Sequence, residues 1–458
     1  MGNRPELFLS LSPQILSPMK RITTLFLLLF ILLTAQAVTF EERLSAVPGV
    51  AAVHPLESSD GLTKYVVMFR QPIDHRSPEL GTFLQRIVVK HRGYDRPAVM
   101  VTEGYNNDYG LYPGYTEELS DLLQANTLQV EHRFNSVSVP SGLRLDDGTF
   151  DATSSLWDYL TVENSAHDYH AIRMAFASLY PGKWFSTGVS KGGQTALFYR
   201  TWYPDDVVAN VSYVAPLNKA VEDGRHEPFL DAVGSPEVRA RILAFQRLTL
   251  QRRADIVPML AAHATAKGYA FRVPLDEIFD LMVLEYPFAF WQWGDDPASV
   301  PDCSRPDEVA SDVLWQSLLA KCEPDYFSRQ TPYTPFNVQA MRELGYYGYD
   351  CRPFEGLLAR RTYESYMRRA MIPEELSYIE FKGDLYERVC TFLREQDIPM
   401  MFIYGEWDPW SATRVVLPSL KEHMHVFIQP GGSHRSRINN MPADIKAEIL
   451  SILNAWTE

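Results

Sequence analysis

The stretch Trp184-Phe185-Ser186-Thr187-Gly188-Val189-Ser190-Lys191-Gly192-Gly193 decides the fold. Its first residues read as a short strand, and Gln194-Thr195-Ala196-Leu197-Phe198-Tyr199 reads as the start of a helix. The Gly188-x-Ser190-x-Gly192 pattern between them predicts a nucleophile elbow, a strand that turns sharply into a helix with a serine at the apex. A serine held in so strained a backbone needs neighbours with almost no side chain two positions to either side. The next amide, on Lys191, then points into the space where an oxyanion would form. An ordinary glycine-rich turn between strand and helix uses the same residues, so the rest of the chain has to choose.

Before the elbow, residues 65–70 and 83–89 are expected to pair as antiparallel strands across a polar, proline-containing loop. Residues 98–102 form a continuous apolar run and 128–133 a fourth strand. A helix over 162–179 stops at Pro181-Gly182. Residues 211–216 give the strand after the elbow. The alternation then breaks. Residues 237–252, 254–267 and 275–293 read as helices, and the run Tyr286-Pro287-Phe288-Ala289-Phe290-Trp291-Gln292-Trp293 is dense in aromatics. Alternation resumes with a helix over 385–396, strands over 400–404 and 425–428, and a helix over 442–456. This order predicts an α/β protein: an α/β-hydrolase core, mostly parallel sheet with flanking helices, built from residues 38–217 and 383–458. Residues 218–382 are an inserted helical cap.

A serine hydroxyl needs a base, and the base needs an orienting acid. In this fold the chain order is serine, acid, histidine, with each group at the carboxyl end of a strand. Asp408, in Tyr404-Gly405-Glu406-Trp407-Asp408-Pro409-Trp410-Ser411, follows a late strand and is the expected acid; Glu406 is its rival. Asp397 precedes that strand, at the wrong end. His434, at the end of Gln429-Pro430-Gly431-Gly432-Ser433-His434, follows the last strand and is the expected base. His132 reads instead as a structural hydrogen-bonder. The second oxyanion amide should come from the loop after the third strand, which points to Tyr105, with Gly104 permitting close approach. Glu103 could bind a substrate amine there, or pair with Arg133. Phe288, Phe290 and Trp291 could line a substrate pocket or fill the cap's own core.

At 458 residues, with 46% hydrophobic and 22% charged residues, the chain has an ordinary globular composition. A net charge of −14 argues against nucleic acid as a partner. Residues 1–37 read as a leader: a basic Met19-Lys20-Arg21, a short apolar run over 25–33, and a small-x-small Ala35-Gln36-Ala37. Cleavage after Ala37 would send the protein to the periplasm or outside the cell with no lasting membrane insertion; an uncleaved anchor is the alternative. Four cysteines, Cys303, Cys322, Cys351 and Cys390, lie in the second half. In an exported chain they are expected as disulfides, paired as neighbours, with buried free thiols as the other possibility. No ligand spacing suggests a metal, and no cofactor is expected. The oligomeric state is not readable from these features.

Several of these segments together resemble the secreted proline-directed serine peptidases. They are Phe69-Arg70-Gln71-Pro72-Ile73-Asp74-His75 with Gly81-Thr82-Phe83-Leu84-Gln85-Arg86, Thr102-Glu103-Gly104-Tyr105, Glu131-His132-Arg133-Phe134, the elbow, and Asp408-Pro409-Trp410-Ser411. The pattern is most similar to the prolyl tri/tetrapeptidyl aminopeptidase family. Pro-X carboxypeptidase and dipeptidyl-peptidase II are more distant, and Lys191 favours the aminopeptidase branch. The resemblance spans about residues 65–440. It implies Ser190 as nucleophile, Asp408 as acid, His434 as base, no metal, and release of tri- or tetrapeptides after proline from a free amino terminus. The same triad would also suit a secreted esterase or lipase, and a hydrolase scaffold can lose its chemistry and only bind.

Overall fold

The structure is a computed structural model that describes Gly2, residues 38–418 and residues 420–458. The expected leader lies outside the described residues, Gly2 apart. The chain divides into two units, Met1–Ala46 and Val47–Glu458. In the first, helix α1 (Phe40–Ser45) opens on a capping box, in which Thr39 Oγ1 accepts from the Glu42 amide and the Glu42 carboxylate accepts from the Thr39 amide.

The second unit is built on a nine-stranded sheet: β1 (Val50–Leu56), β2 (Thr63–Pro72), β3 (Thr82–His91), β4 (Ala98–Thr102), β5 (Asn126–Val130), β6 (Trp184–Val189), β7 (Ala209–Tyr213), β8 (Met400–Gly405) and β9 (Met424–Gln429). Their spatial order is β1-β2-β3-β5-β4-β6-β7-β8-β9. β1, β2, β3 and β5 pair antiparallel, and every pairing from β5 through β9 is parallel. This is the mostly parallel α/β-hydrolase sheet that the alternating pattern predicts. β4 through β8 are buried along almost their whole length because helices cover both faces, and β4 and β8 read as apolar runs. Helices α2 (Glu118–Leu122), α3 (Val162–Phe176) and α4 (Lys191–Trp202) belong to this layer. The residues of α4 are buried almost without a break.

Two expectations are corrected here. β1 has no counterpart in the sequence reading: it is a half-exposed edge strand carrying Pro55, so it shows neither clean alternation nor an apolar run. The strand expected over 128–133 ends at Val130, because the residues beyond it leave the ladder for side-chain work. Glu131 accepts from Ser138 and pairs with Arg86, and Arg133 grips Asp168 through two 2.7 Å bonds.

Between β7 and β8 the chain is mainly helical: α5 (His226–Leu230), α6 (Pro236–Gln251), α7 (Arg253–Lys267), α8 (Leu275–Trp293), α9 (Ser311–Lys321) and α10 (Thr334–Gln339). The core helix α11 (Asp384–Glu395) then leads into β8, and α12 (Ala443–Thr457) closes the chain. α8 is the buried spine of this insertion and stops at Gly294, whose φ of 66° is the left-handed conformation that ends helices. Pro287 lies inside α8 and has no N–H to offer the Val283 carbonyl. Gln246 of α6 supplies the missing donor, its Nε2 lying 2.7 Å from that oxygen.

The cysteine pairing is also corrected: all four cysteines are free thiols. Cys322 is fully enclosed, and burial holds its thiol well above the ordinary range. Cys351 sits 3.8 Å from the Tyr349 carbonyl, while Cys390 lies on α11 beside Tyr386. These residues pack as small apolar side chains among unrelated neighbours. No described helix is long and apolar enough to cross a membrane.

Candidate active site

β6 enters the elbow with Ser190 at φ 58° and ψ −125°, a conformation closed to most side-chain-bearing residues. The surrounding glycines are required by contact. A Cβ on Gly188 would stand 2.2 Å from the Gly192 carbonyl oxygen, and one on Gly192 would stand 2.6 Å from that of Thr102. The Ser190 amide is used by the sheet, donating to Tyr213 O at 2.9 Å. Val189 and Ser190 reach solvent, whereas the helix behind them does not.

The parallel register carries the other groups to the same end of the sheet. Val189 pairs with Tyr213, Tyr213 with Ile403, and Ile403 with Phe427. Asp408 follows β8 and His434 follows β9, both past the carboxyl ends of their strands. His434 Nδ1 lies 2.7 Å from Asp408 Oδ2, with Asp408 fully buried and His434 5% exposed. Asp408 Oδ1 accepts from the Trp410 amide at 3.1 Å, which fixes the carboxylate at the head of a short turn. Among the described residues His434 Nε2 is buried and has no hydrogen-bond partner. The His434 amide donates to Gln292 O at 2.9 Å, so the end of α8 anchors the histidine loop. The rings of Trp293 and Trp410 stand 6.0 and 6.5 Å from the imidazole. Glu406, the rival acid, is spent on the Gly431 amide at 2.7 Å. Asp397 binds the Glu422 and His423 amides at the opposite end of β8.

The loop after β4 packs directly on the elbow: a Cβ on Gly104 would meet Lys191 Cβ at 2.6 Å and the Gly192 amide nitrogen at 2.7 Å. Lys191 is 3% exposed and donates through Nζ to Gly104 O at 2.6 Å. Desolvation brings its ammonium down to about 7, with Glu343 opposing. His132 is the structural hydrogen-bonder expected of it, held between Arg133 O and Ser165 Oγ.

Glu103 pairs with neither Arg133 nor solvent. Its Oε1 accepts from Tyr109 Oη and from Gln129 Nε2, and burial raises the carboxyl to about 7. Phe288 and Trp291 line a cavity of about 240 Å³ with Glu227, Asp231, Asp350 and Tyr349. Phe290 does not line it. It is fully buried and meets Trp291 edge-on, because on a helix residue 290 faces away from the stripe shared by 288 and 291.

A residue absent from the sequence reading stands on the same helix. Glu285 accepts from Tyr347 Oη at 2.9 Å and Tyr349 Oη at 2.8 Å, and desolvation raises it to about 7. Tyr347 stacks on Phe288 at 3.9 Å, and both meet Trp410, the neighbour of His434. The available signal is one carboxylate inside the apolar run Leu281-Met282-Val283-Leu284-Glu285-Tyr286. Among the described residues no group of three or more His, Cys, Asp or Glu could hold a metal ion.

The sequence profile of the PS-10 peptidase S37 family matches residues 34–458. This chain belongs to that family. It is similar to the prolyl tri/tetrapeptidyl aminopeptidase of Streptomyces mobaraensis, 30% identical over 433 residues, which is 93% of this chain and 86% of the relative. It is 28% identical to lysosomal Pro-X carboxypeptidase of Mus musculus over 204 residues, 42% of this chain and 40% of that one. Among solved structures, a proline iminopeptidase of Mycobacterium smegmatis aligns with a TM-score of 0.39 and 14% identity, covering 89% of this chain and 99% of the other. By its family and its aminopeptidase relative, this S37 member is a serine peptidase of the α/β-hydrolase type, as the sequence resemblance implies.

Proposed function

We propose that the protein hydrolyses peptides near a free amino terminus, releasing tri- or tetrapeptides after proline, with Ser190, His434 and Asp408 as catalytic groups. The observation that carries this reading is the buried Asp408–His434 bond with an unpartnered Nε2, at the end of the sheet where Ser190 leaves β6. His434 Nε2 takes the Ser190 proton as Oγ bonds to the peptide carbonyl carbon. Asp408 stabilises the imidazolium. The Lys191 and Tyr105 amides receive the oxyanion. The C–N bond then breaks as His434 returns the proton to the leaving amine, and water attacks the acyl-enzyme through the same base.

Residues 218–382 act as the cap in this reading, and its Phe288 and Tyr347 form, with Trp410 of the core, an aromatic wall as the surface for a proline ring. Glu285 is the carboxylate for the substrate's ammonium, in place of the sealed Glu103. The leader over 1–37 directs export to the periplasm or beyond. Relatives' names support the substrate class: prolyl tri/tetrapeptidyl aminopeptidase and Pro-X carboxypeptidase.

The test is digestion of Ala-Ala-Pro amides with free and acetylated amino termini, alongside nitrophenyl esters, using wild type and Ser190→Ala. Turnover of the free peptide, lost by several orders of magnitude in S190A together with fluorophosphonate labelling, supports the reading. Turnover retained in S190A rejects it. Cleavage of acetylated peptides rejects the aminopeptidase specificity, and turnover of esters alone favours an esterase.

A further inference from the structure

Gly104 O and Tyr105 N–H belong to one peptide unit. No cis peptide occurs in the described chain, so this unit is planar and trans, with its carbonyl and N–H pointing in opposite directions. Fixing the oxygen therefore aims the hydrogen. Among the hydrogen bonds of the described residues, the Lys191 ammonium is the donor to that oxygen, at 2.6 Å. The flanking groups are held separately: the Glu103 amide donates to Val130 O at 3.1 Å, and Tyr105 O accepts from the His132 amide at 3.0 Å. Neither the Tyr105 amide nor the Lys191 amide is taken by a protein acceptor among the described residues.

We infer that the Lys191 side chain is a positioning residue for oxyanion binding: its ammonium holds the Gly104 carbonyl so that the Tyr105 N–H faces the oxygen of the substrate carbonyl attacked by Ser190. One residue thus serves the oxyanion twice, directly through its own amide and indirectly through its side chain. While Lys191 is protonated, the charge-assisted bond also polarises the peptide, which strengthens Tyr105 N–H as a donor. The Tyr105 ring, 5.6 Å from Nζ, adds a cation–π contact that holds the ammonium over the loop. Gly104 makes the approach possible, since any side chain there would collide with Lys191 Cβ. The void beside Lys191, lined by His132, Thr195 and Gln339, is about 10 Å³, no more than one water needs.

This inference rests on the serine-peptidase site proposed above, and its test separates the two. Lys191→Met and Lys191→Gln are assayed with an Ala-Ala-Pro amide, a peptide boronate that forms a tetrahedral adduct at Ser190, and the product Ala-Ala-Pro. Thermal melts verify folding, and K191Q keeps a polar group in the buried slot should methionine not be accommodated. Deleting a whole oxyanion donor costs about 10²–10³ in kcat, and an unaimed donor costs part of that. The expected result is a roughly 10–100-fold fall in kcat with a matching loss of boronate affinity, while KM and product inhibition stay within about threefold. Unchanged kcat and boronate affinity in a folded variant overturn the inference. A loss shared equally by KM and product binding overturns it too, since that marks a structural role. If S190A keeps its turnover, the functional reading falls; if S190A is dead and K191M is unimpaired, only the role of the Lys191 side chain falls.

Discussion

His434 Nδ1 and Asp408 Oδ2 meet at 2.7 Å in a pocket that excludes water almost completely. The carboxylate accepts from Nδ1, so the neutral imidazole carries its proton there and presents a bare Nε2. Asp408→Asn can reverse that tautomer while preserving the shape. The expected result is a fall in kcat of about 10⁴ with little change in KM. Glu406→Gln, at a carboxylate whose hydrogen-bond donor among the described residues is the Gly431 amide, should leave kcat within a few-fold. Steady-state kinetics on the two variants decide the identity of the acid, and an inactive E406Q beside an active D408N would reverse the assignment.

Glu285 is the proposed anchor for the substrate's ammonium. A hydrogen bond to a charged group contributes about 1.5–3 kcal/mol, so Glu285→Gln should raise KM for free-amine peptides by roughly 10–100-fold with kcat nearly intact. The carboxyl is raised to about 7, so it gains a proton as pH falls through that value and loses its attraction for an ammonium. The wild-type KM should therefore climb below about pH 7, and E285Q should lack that limb. A KM profile identical in both proteins removes Glu285 from recognition.

Glu103 lends itself to a stability test. Its carboxyl is raised from 4.5 to about 7 in the fold, so the folded state binds the proton more tightly than the unfolded state. The stability this contributes is complete below about pH 4.5 and is lost as pH rises through about 7. Glu103→Gln fixes the neutral form, and its amide oxygen can still accept from Tyr109 and Gln129. Urea unfolding should show E103Q more stable than wild type by on the order of 1–3 kcal/mol at pH 8, with no gain at pH 4. Equal stability at both pH values would mean that Glu103 is not desolvated as described.

The elbow and the strands around it were legible in the sequence because each is a local pattern: an apolar run, a glycine turn, a helix start. Asp408 and His434 could be placed from chain order, since a parallel sheet delivers the carboxyl ends of successive strands to one edge. β1 was not legible because an edge strand lacks the pattern that burial imposes. The cysteines misled because export and an even count point to disulfides, whereas packing treats these thiols as small apolar groups. Glu103 and Glu285 show the harder limit. Both are acids within two positions of a tyrosine in the sequence, and only three-dimensional packing distinguishes a carboxylate closed off by Tyr109 and Gln129 from one set against the wall of Tyr347, Phe288 and Trp410. The long-range bond from Lys191 to Gly104 spans 87 positions and has no trace in either segment alone.

The contact between Gln246 Nε2 and Val283 O ties α6, in the helical segment between β7 and β8, to the histidine loop through α8. Pro287 frees that carbonyl, and the α6 glutamine takes it up in the buried interior. Gln246→Leu leaves the oxygen without a donor and should cost about 1–3 kcal/mol of stability. Pro287→Ala restores a backbone N–H one turn later. In the double variant that restored amide can bond to Val283 O in the usual helical way, so stability should recover by at least half the loss. Urea unfolding of the four proteins in a double-mutant cycle measures this coupling. Independent, additive effects would show that the glutamine does not compensate for the proline. Because the Gln292 carbonyl, five residues beyond Pro287, accepts from the His434 amide at 2.9 Å, kcat across the same four proteins reads how far a change in α8 reaches His434, the proposed base.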